Sequence, residues 1–105
     1  MQTLQNSEYK KIADIIHTTL QYGIGDNFNT LKNTLSLIKN NDDLKKLIEA
    51  YGFRHNFFYA IPLGKKENLL SNLQHQLSDK KLGIYTDMLN QIRADWAKKK
   101  ITYKI

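Results

Sequence analysis

A chain of 105 residues with 41% hydrophobic and 25% charged residues has room for one globular domain and too much apolar content for a disordered segment. It contains no cysteine, which excludes disulfides and thiolate metal sites, and no apolar run near the roughly 18 to 20 residues that a transmembrane helix needs. The net charge is +6: residues 1–52 carry six Lys against six acids and residues 53–105 ten Lys or Arg against four, so the whole excess lies in the second half.

Ser7 is placed to cap a first helix, with Glu8 in its first turn and Tyr9, Ile12, Ala13, Ile16 and Leu20 recurring at helical spacing. Gly23 ends it. Asp26 reads as the cap of a second helix with the stripe Phe28, Leu31, Leu35 and Ile38. Asn41 reads as the cap of a third, with Asp42 and Asp43 at its positive end and Leu44, Leu47, Ile48 and Tyr51 before Gly52 stops it. From Phe53 to Lys66 the chain loses helical periodicity and gathers four aromatics, the single proline and a glycine, which predicts an ordered loop with room for a short strand pair. A fourth helix follows with Leu69, Leu70, Leu73 and Leu77. A fifth starts at Ser78 and carries Leu82, Tyr85, Met88, Leu89, Ile92 and Trp96 on one ridge. The expected fold is all-α, one domain over 1–105 with a core of about 7–97. The basic tail, 98–105, alternates Ile101, Tyr103 and Ile105 and reads as a strand or a segment packing on a neighbouring chain.

The loop around Gly23 and Gly25 raises the question of a ligand. A phosphate loop follows a strand and usually carries Lys with Ser or Thr, whereas a helix precedes this loop and no Lys follows within it. Backbone carbonyls in such a turn can ligate calcium if a carboxylate from elsewhere completes the shell.

The element order carries a resemblance. Gly23-Ile24-Gly25 followed by an acid, Tyr51-Gly52 closing the third helix, the run Leu69 to Ser78 in the fourth and a fifth helix closing the unit resemble a single annexin-type repeat over roughly residues 7–92. The chain is also similar to short annexin-like units associated with phages and mobile elements of Bacteroidota, which look like virion or cell-surface parts. The resemblance implies a five-helix bundle, from which the aromatic segment Phe53 to Lys66 departs as an insertion between helices 3 and 4. It also implies calcium held by the Gly-x-Gly carbonyls and an acid near the end of the fourth helix. Gln76 stands where that acid is expected, and a neutral amide supplies neither the charge nor the bidentate grip. No metal and no cofactor are therefore expected, and Gly23 and Gly25 are read as permitting a tight turn.

No catalytic set is visible: His17, His55 and His75 fall on separate segments without metal-ligand spacing, and no nucleophile motif occurs. The expectation is a non-enzymatic structural or interaction module, as in a virion component, forming a homo-oligomer or larger assembly. Phe53, Arg54, Phe57, Phe58 and Tyr59 are the candidate partner-binding residues, because aromatics and Arg dominate interface energetics. The competing reading of these aromatics is a plug for one end of the core. Lys65, Lys66, Lys80, Lys81, Arg93, Lys98, Lys99 and Lys100 form a candidate basic patch, and weak nucleic-acid binding or inhibition of a host system is the alternative function. Membrane association is not expected. The N-terminus lacks the charged-then-apolar pattern of a signal peptide, so a virion or cytoplasmic location is expected.

Overall fold

Apolar stripes at helical spacing decide the architecture. A computed structural model describes residues 1–21, 24–57, 64–77 and 84–105, with the backbone alone for 24–26, 84 and 85. Among the described residues five helices follow one another: α1 (Asn6–Gln21), α2 (Ile24–Leu35), α3 (Asn41–Tyr51), α4 (Leu69–Leu77) and α5 (Ile84–Lys98). Between α3 and α4, β1 (Arg54–His55) pairs antiparallel with β2 (Lys66–Glu67), Arg54 opposite Glu67 and His55 opposite Lys66.

α1 packs on both α2 and α3, α3 meets α4, and α2 and α4 both pack on α5. The α1 stripe predicted from sequence, Tyr9, Ile12, Ala13, Ile16 and Leu20, is buried throughout. Leu31, Leu44, Leu47, Leu69, Leu73 and Leu77 face the same core, and Trp96 closes it from α5.

Several expected boundaries move. α1 opens at Asn6, so Ser7 lies inside the first turn instead of capping it, and Glu8 N–H already donates to the Gln5 carbonyl at 3.0 Å. α2 opens at Ile24, which places Gly25 and Asp26 within the helix; Asp26 is no cap, and Gly25 belongs to a helical turn. Gly23 lies outside the described residues. α2 ends at Leu35, and Ile38 is buried from the turn that follows. The cap of α3 is Asn40, not Asn41: its extended backbone (φ −156°, ψ 179°) lets its side-chain oxygen accept from the Asp43 N–H at 2.8 Å. Asn41 is the first helical residue, and its side chain accepts instead from the Thr102 N–H at 2.8 Å.

This turn holds both the N-terminal residue and the segment that follows α5. The Asn40 amide donates to the Met1 carbonyl at 2.7 Å, and the Met1 amino group pairs with Asp42. Asp43 is fully buried. One carboxylate oxygen accepts from Thr3 N–H and Tyr9 hydroxyl, both at 2.6 Å, and the other from Thr3 hydroxyl at 2.6 Å and Lys39 N–H at 2.9 Å. Burial pushes the Asp43 carboxyl up, but these hydrogen bonds outweigh it and hold its pKa at about 2. Tyr9 moves the opposite way, raised by burial and by its bond to Asp43.

α5 ends in a Schellman motif. Ile101 N–H donates to the Trp96 carbonyl at 2.8 Å, Lys100 N–H to the Ala97 carbonyl at 3.1 Å, and Lys100 takes φ 59°. The motif's apolar pair is Ile101 with Trp96, so the segment read as a tail delivers Ile101 to the core, with Tyr103 and Ile105 partly buried behind it. No strand forms over 101–105. A left-handed backbone costs a side-chain-bearing residue what it does not cost glycine, so Lys100→Gly is expected to raise stability by about 0.5 to 1 kcal/mol, read as a higher denaturation midpoint at unchanged slope.

Candidate functional site at the hairpin

The non-helical segment after Gly52 is fastened to the bundle at almost every described residue. Gly52 (φ 62°) stops α3, and its N–H donates to the Ile48 carbonyl at 3.0 Å. Past β1, Asn56 N–H donates to the Lys65 carbonyl at 3.1 Å and Gly64 N–H to the Asn56 carbonyl at 3.0 Å, so the pairing runs beyond the two-residue strands. The two chains approach so closely here that a Cβ on Gly64 would stand 2.6 Å from the Asn56 Cβ and 2.7 Å from its carbonyl oxygen. Only glycine fits.

Arg54 is partly buried and held by its partners rather than offered outward. Its Nε donates to the Tyr51 carbonyl at 2.8 Å, a terminal nitrogen bonds Asp14 at 3.0 Å, and the guanidinium lies 4.8 Å from the Tyr51 ring centroid. The Arg54 hydrogen bond holds the Asp14 carboxyl below its ordinary range. Beneath the hairpin, Asn72 of α4 is fully buried. Its oxygen accepts from the Tyr51 hydroxyl at 3.0 Å while its amide donates to the carbonyls of Arg54 (3.2 Å) and Glu67 (3.0 Å), clasping both strands. Burial pushes the Tyr51 hydroxyl pKa well up, with the Arg54 charge opposing.

The histidines, scattered in sequence, converge on this segment. His17 Nε2 donates to the His55 carbonyl at 3.0 Å, and its ring lies 4.6 Å from Phe57 and edge-on to Tyr51 at 5.9 Å. His55 Nδ1 donates to the Gly64 carbonyl at 2.7 Å. His75 stands 3.4 Å from the Asn56 amide nitrogen and 3.5 Å from the Glu67 carboxylate. Among the described residues no group of three or more His, Asp or Glu side chains is arranged to hold a metal ion.

Of the candidate partner-binding residues, Phe53 stands 73% exposed, Arg54 is tied down as above, and Phe57 is half-buried against the core. Phe58 and Tyr59 lie outside the described residues. Gln76 takes part in the same site: its amide donates to the Phe57 carbonyl at 3.2 Å, a bond that a carboxylate in its place has no proton to make. The structure therefore brings Phe53, Arg54, Phe57 and Gln76 together around one hairpin.

The candidate basic patch divides. Lys65 and Lys66 are exposed on the hairpin, Lys80 and Lys81 lie outside the described residues, and Arg93, Lys98 and Lys100 are exposed along and beyond the end of α5. Lys99 is withdrawn from it, ion-paired with Asp95 at 2.7 Å and only partly exposed. Sequence reasoning missed Asn72, His17 and Asp14 as parts of the hairpin site. Asn72 had a signal: it sits three residues after Leu69 and five before Leu77, on the stripe that faces the core.

Comparison with protein-family models, with curated proteins and with solved structures found no match for this chain. Among the described residues no helix is long and apolar enough to cross a membrane.

Proposed function

We propose that this chain is a non-enzymatic interaction module that associates with a second copy of itself through the face of the hairpin, with Phe53 as the anchor. The observation that carries the reading is the contrast between neighbours. Arg54, His55, Asn56 and Phe57 are each held by hydrogen bonds or ring contacts, while Phe53 leaves its ring 73% exposed on that fixed base. A rigid aromatic presented in this way loses little entropy on docking. His17, His55 and Asn72 are occupied in holding main-chain atoms of the hairpin, which suits a scaffold better than a reaction centre.

The annexin-like pattern in the sequence supports a virion or cell-surface assembly as the setting, with Gln76 engaged by the hairpin in place of a calcium-binding acid. The test is light scattering on size-fractionated protein. The native chain is expected to self-associate and Phe53→Ser to run as a monomer with an unchanged melting midpoint, since an exposed substitution usually costs within about 0.5 kcal/mol. A native chain that stays monomeric at millimolar concentration overturns the reading.

A second reading rests on the exposed cations Arg93, Lys98, Lys100 and Lys104 around the end of α5. On it, the chain contacts nucleic-acid phosphates without sequence preference. Four such contacts predict a roughly hundredfold loss of affinity between about 50 and 200 mM salt, equal for unrelated sequences, as measured by fluorescence anisotropy.

A further inference from the structure

Self-association through Phe53 requires a surface that receives its ring. Between α1 and α2, Asp14, Ile15, Thr18, Thr19 and Thr30 line an open, mostly apolar depression of about 350 Å³. Thr19 donates its hydroxyl to the Ile15 carbonyl at 2.7 Å, which occupies its polar atom within the helix. Ile15 itself is 45% exposed. A single exposed apolar residue needs no explanation, but the exposed large hydrophobics among the described residues are few: Met1, Ile15, Leu37 and Phe53. Two of these flank one ion pair. Arg54, next to Phe53, bonds Asp14, next to Ile15, at 3.0 Å, so the projecting ring and the depression stand on either side of a fixed contact.

Area sets the symmetry. A phenylalanine buries at most about 150 to 250 Å², so one ring in one depression covers a fraction of the roughly 1,200 Å² that a stable interface needs. A two-fold arrangement makes each contact twice and closes on itself, whereas a one-way contact would run on from copy to copy. We propose that the depression between α1 and α2 receives the Phe53 ring of a second copy while that copy's depression receives the first ring, about a two-fold axis close to the Arg54–Asp14 pair. The arrangement rests on self-association through the hairpin face and supplies its receiving surface.

The test is light scattering and thermal melting on the same preparations. Ile15→Lys brings a charge into the depression at an exposed helical position, and Thr18→Lys does so at its exposed edge, which provides a second variant should the first disturb α1. Each is expected to weaken the dimer at least about tenfold without a loss of folding. Leu37→Lys, at a position equally exposed but outside the depression, should leave the dimer as it is. Mixing separates the two halves of the contact. Phe53→Ser keeps the depression and lacks the ring, and Ile15→Lys keeps the ring and lacks the depression, so the two together should form a mixed dimer through one contact. That dimer should be weaker than the native one but about tenfold tighter than either variant alone. A mixture that stays monomeric overturns the proposal. Native-like dimers of both Ile15→Lys and Thr18→Lys beside a monomeric Phe53→Ser also overturn it, while leaving association through the hairpin intact and the depression to another occupant. A native chain that stays monomeric overturns both.

Discussion

Asp43→Ala is expected to be the most damaging single substitution in the described chain, lowering stability by about 3 to 5 kcal/mol in urea denaturation. The carboxylate is the common acceptor for Thr3, Tyr9 and Lys39, so its removal strands two main-chain N–H groups and a buried tyrosine hydroxyl at once. Against a total of about 5 to 15 kcal/mol for a domain of this size, such a loss leaves a chain that is marginal at 37 °C. Asp43→Asn keeps one acceptor and should fall between the two. The same group predicts an acid profile. Its folded pKa of about 2 lies below the ordinary 3.8, so the unfolded chain binds the proton first as pH falls. The advantage of the native chain over Asp43→Asn is then complete above about pH 4 and drains away between about pH 4 and 2, by roughly 2 kcal/mol. A gap between the two proteins that stays constant over that window would show that Asp43 does not titrate as described.

Asn72→Leu should cost about 2 to 4 kcal/mol despite its similar volume, because the Tyr51 hydroxyl and the carbonyls of Arg54 and Glu67 lose their partner in a place water does not reach. The effect should be local as well as global. Amide hydrogen exchange at Asn56 and Gly64, whose N–H groups close the hairpin, is expected to accelerate more than exchange in α1. Tyr51→Phe combined with Asn72→Leu should cost less than the sum of the single changes, since the two share one hydrogen bond. Uniform acceleration across the molecule would mean that the hairpin is held from elsewhere.

Those two residues also mark where the sequence stops being legible. The helices could be read because burial imposes one period: the α1 stripe from Tyr9 to Leu20 and the α4 leucines 69, 73 and 77 are buried as their spacing requires. The cap of α3 could not be placed between two adjacent asparagines, because the choice is made by Asp43, whose N–H reaches Asn40 while its carboxylate is occupied by the N-terminal segment. An acid in a first helical turn reads as a dipole partner at the surface, and nothing local to Asp43 signals four donors arriving from Thr3, Tyr9 and Lys39. The histidines failed for the same reason: His17 and His55 are 38 residues apart and meet only through a main-chain carbonyl. Two-residue strands carry no alternation to detect. The return of the C-terminal segment to the core turns on a left-handed lysine, where the usual glycine signal is absent.

Because consecutive side chains, Asn40 and Asn41, hold Met1 and Thr102, the N-terminal residue and the segment that follows α5 are fastened to one turn. A pull between them would be borne first by the few hydrogen bonds of that turn, loaded one after another, before any helix stretches.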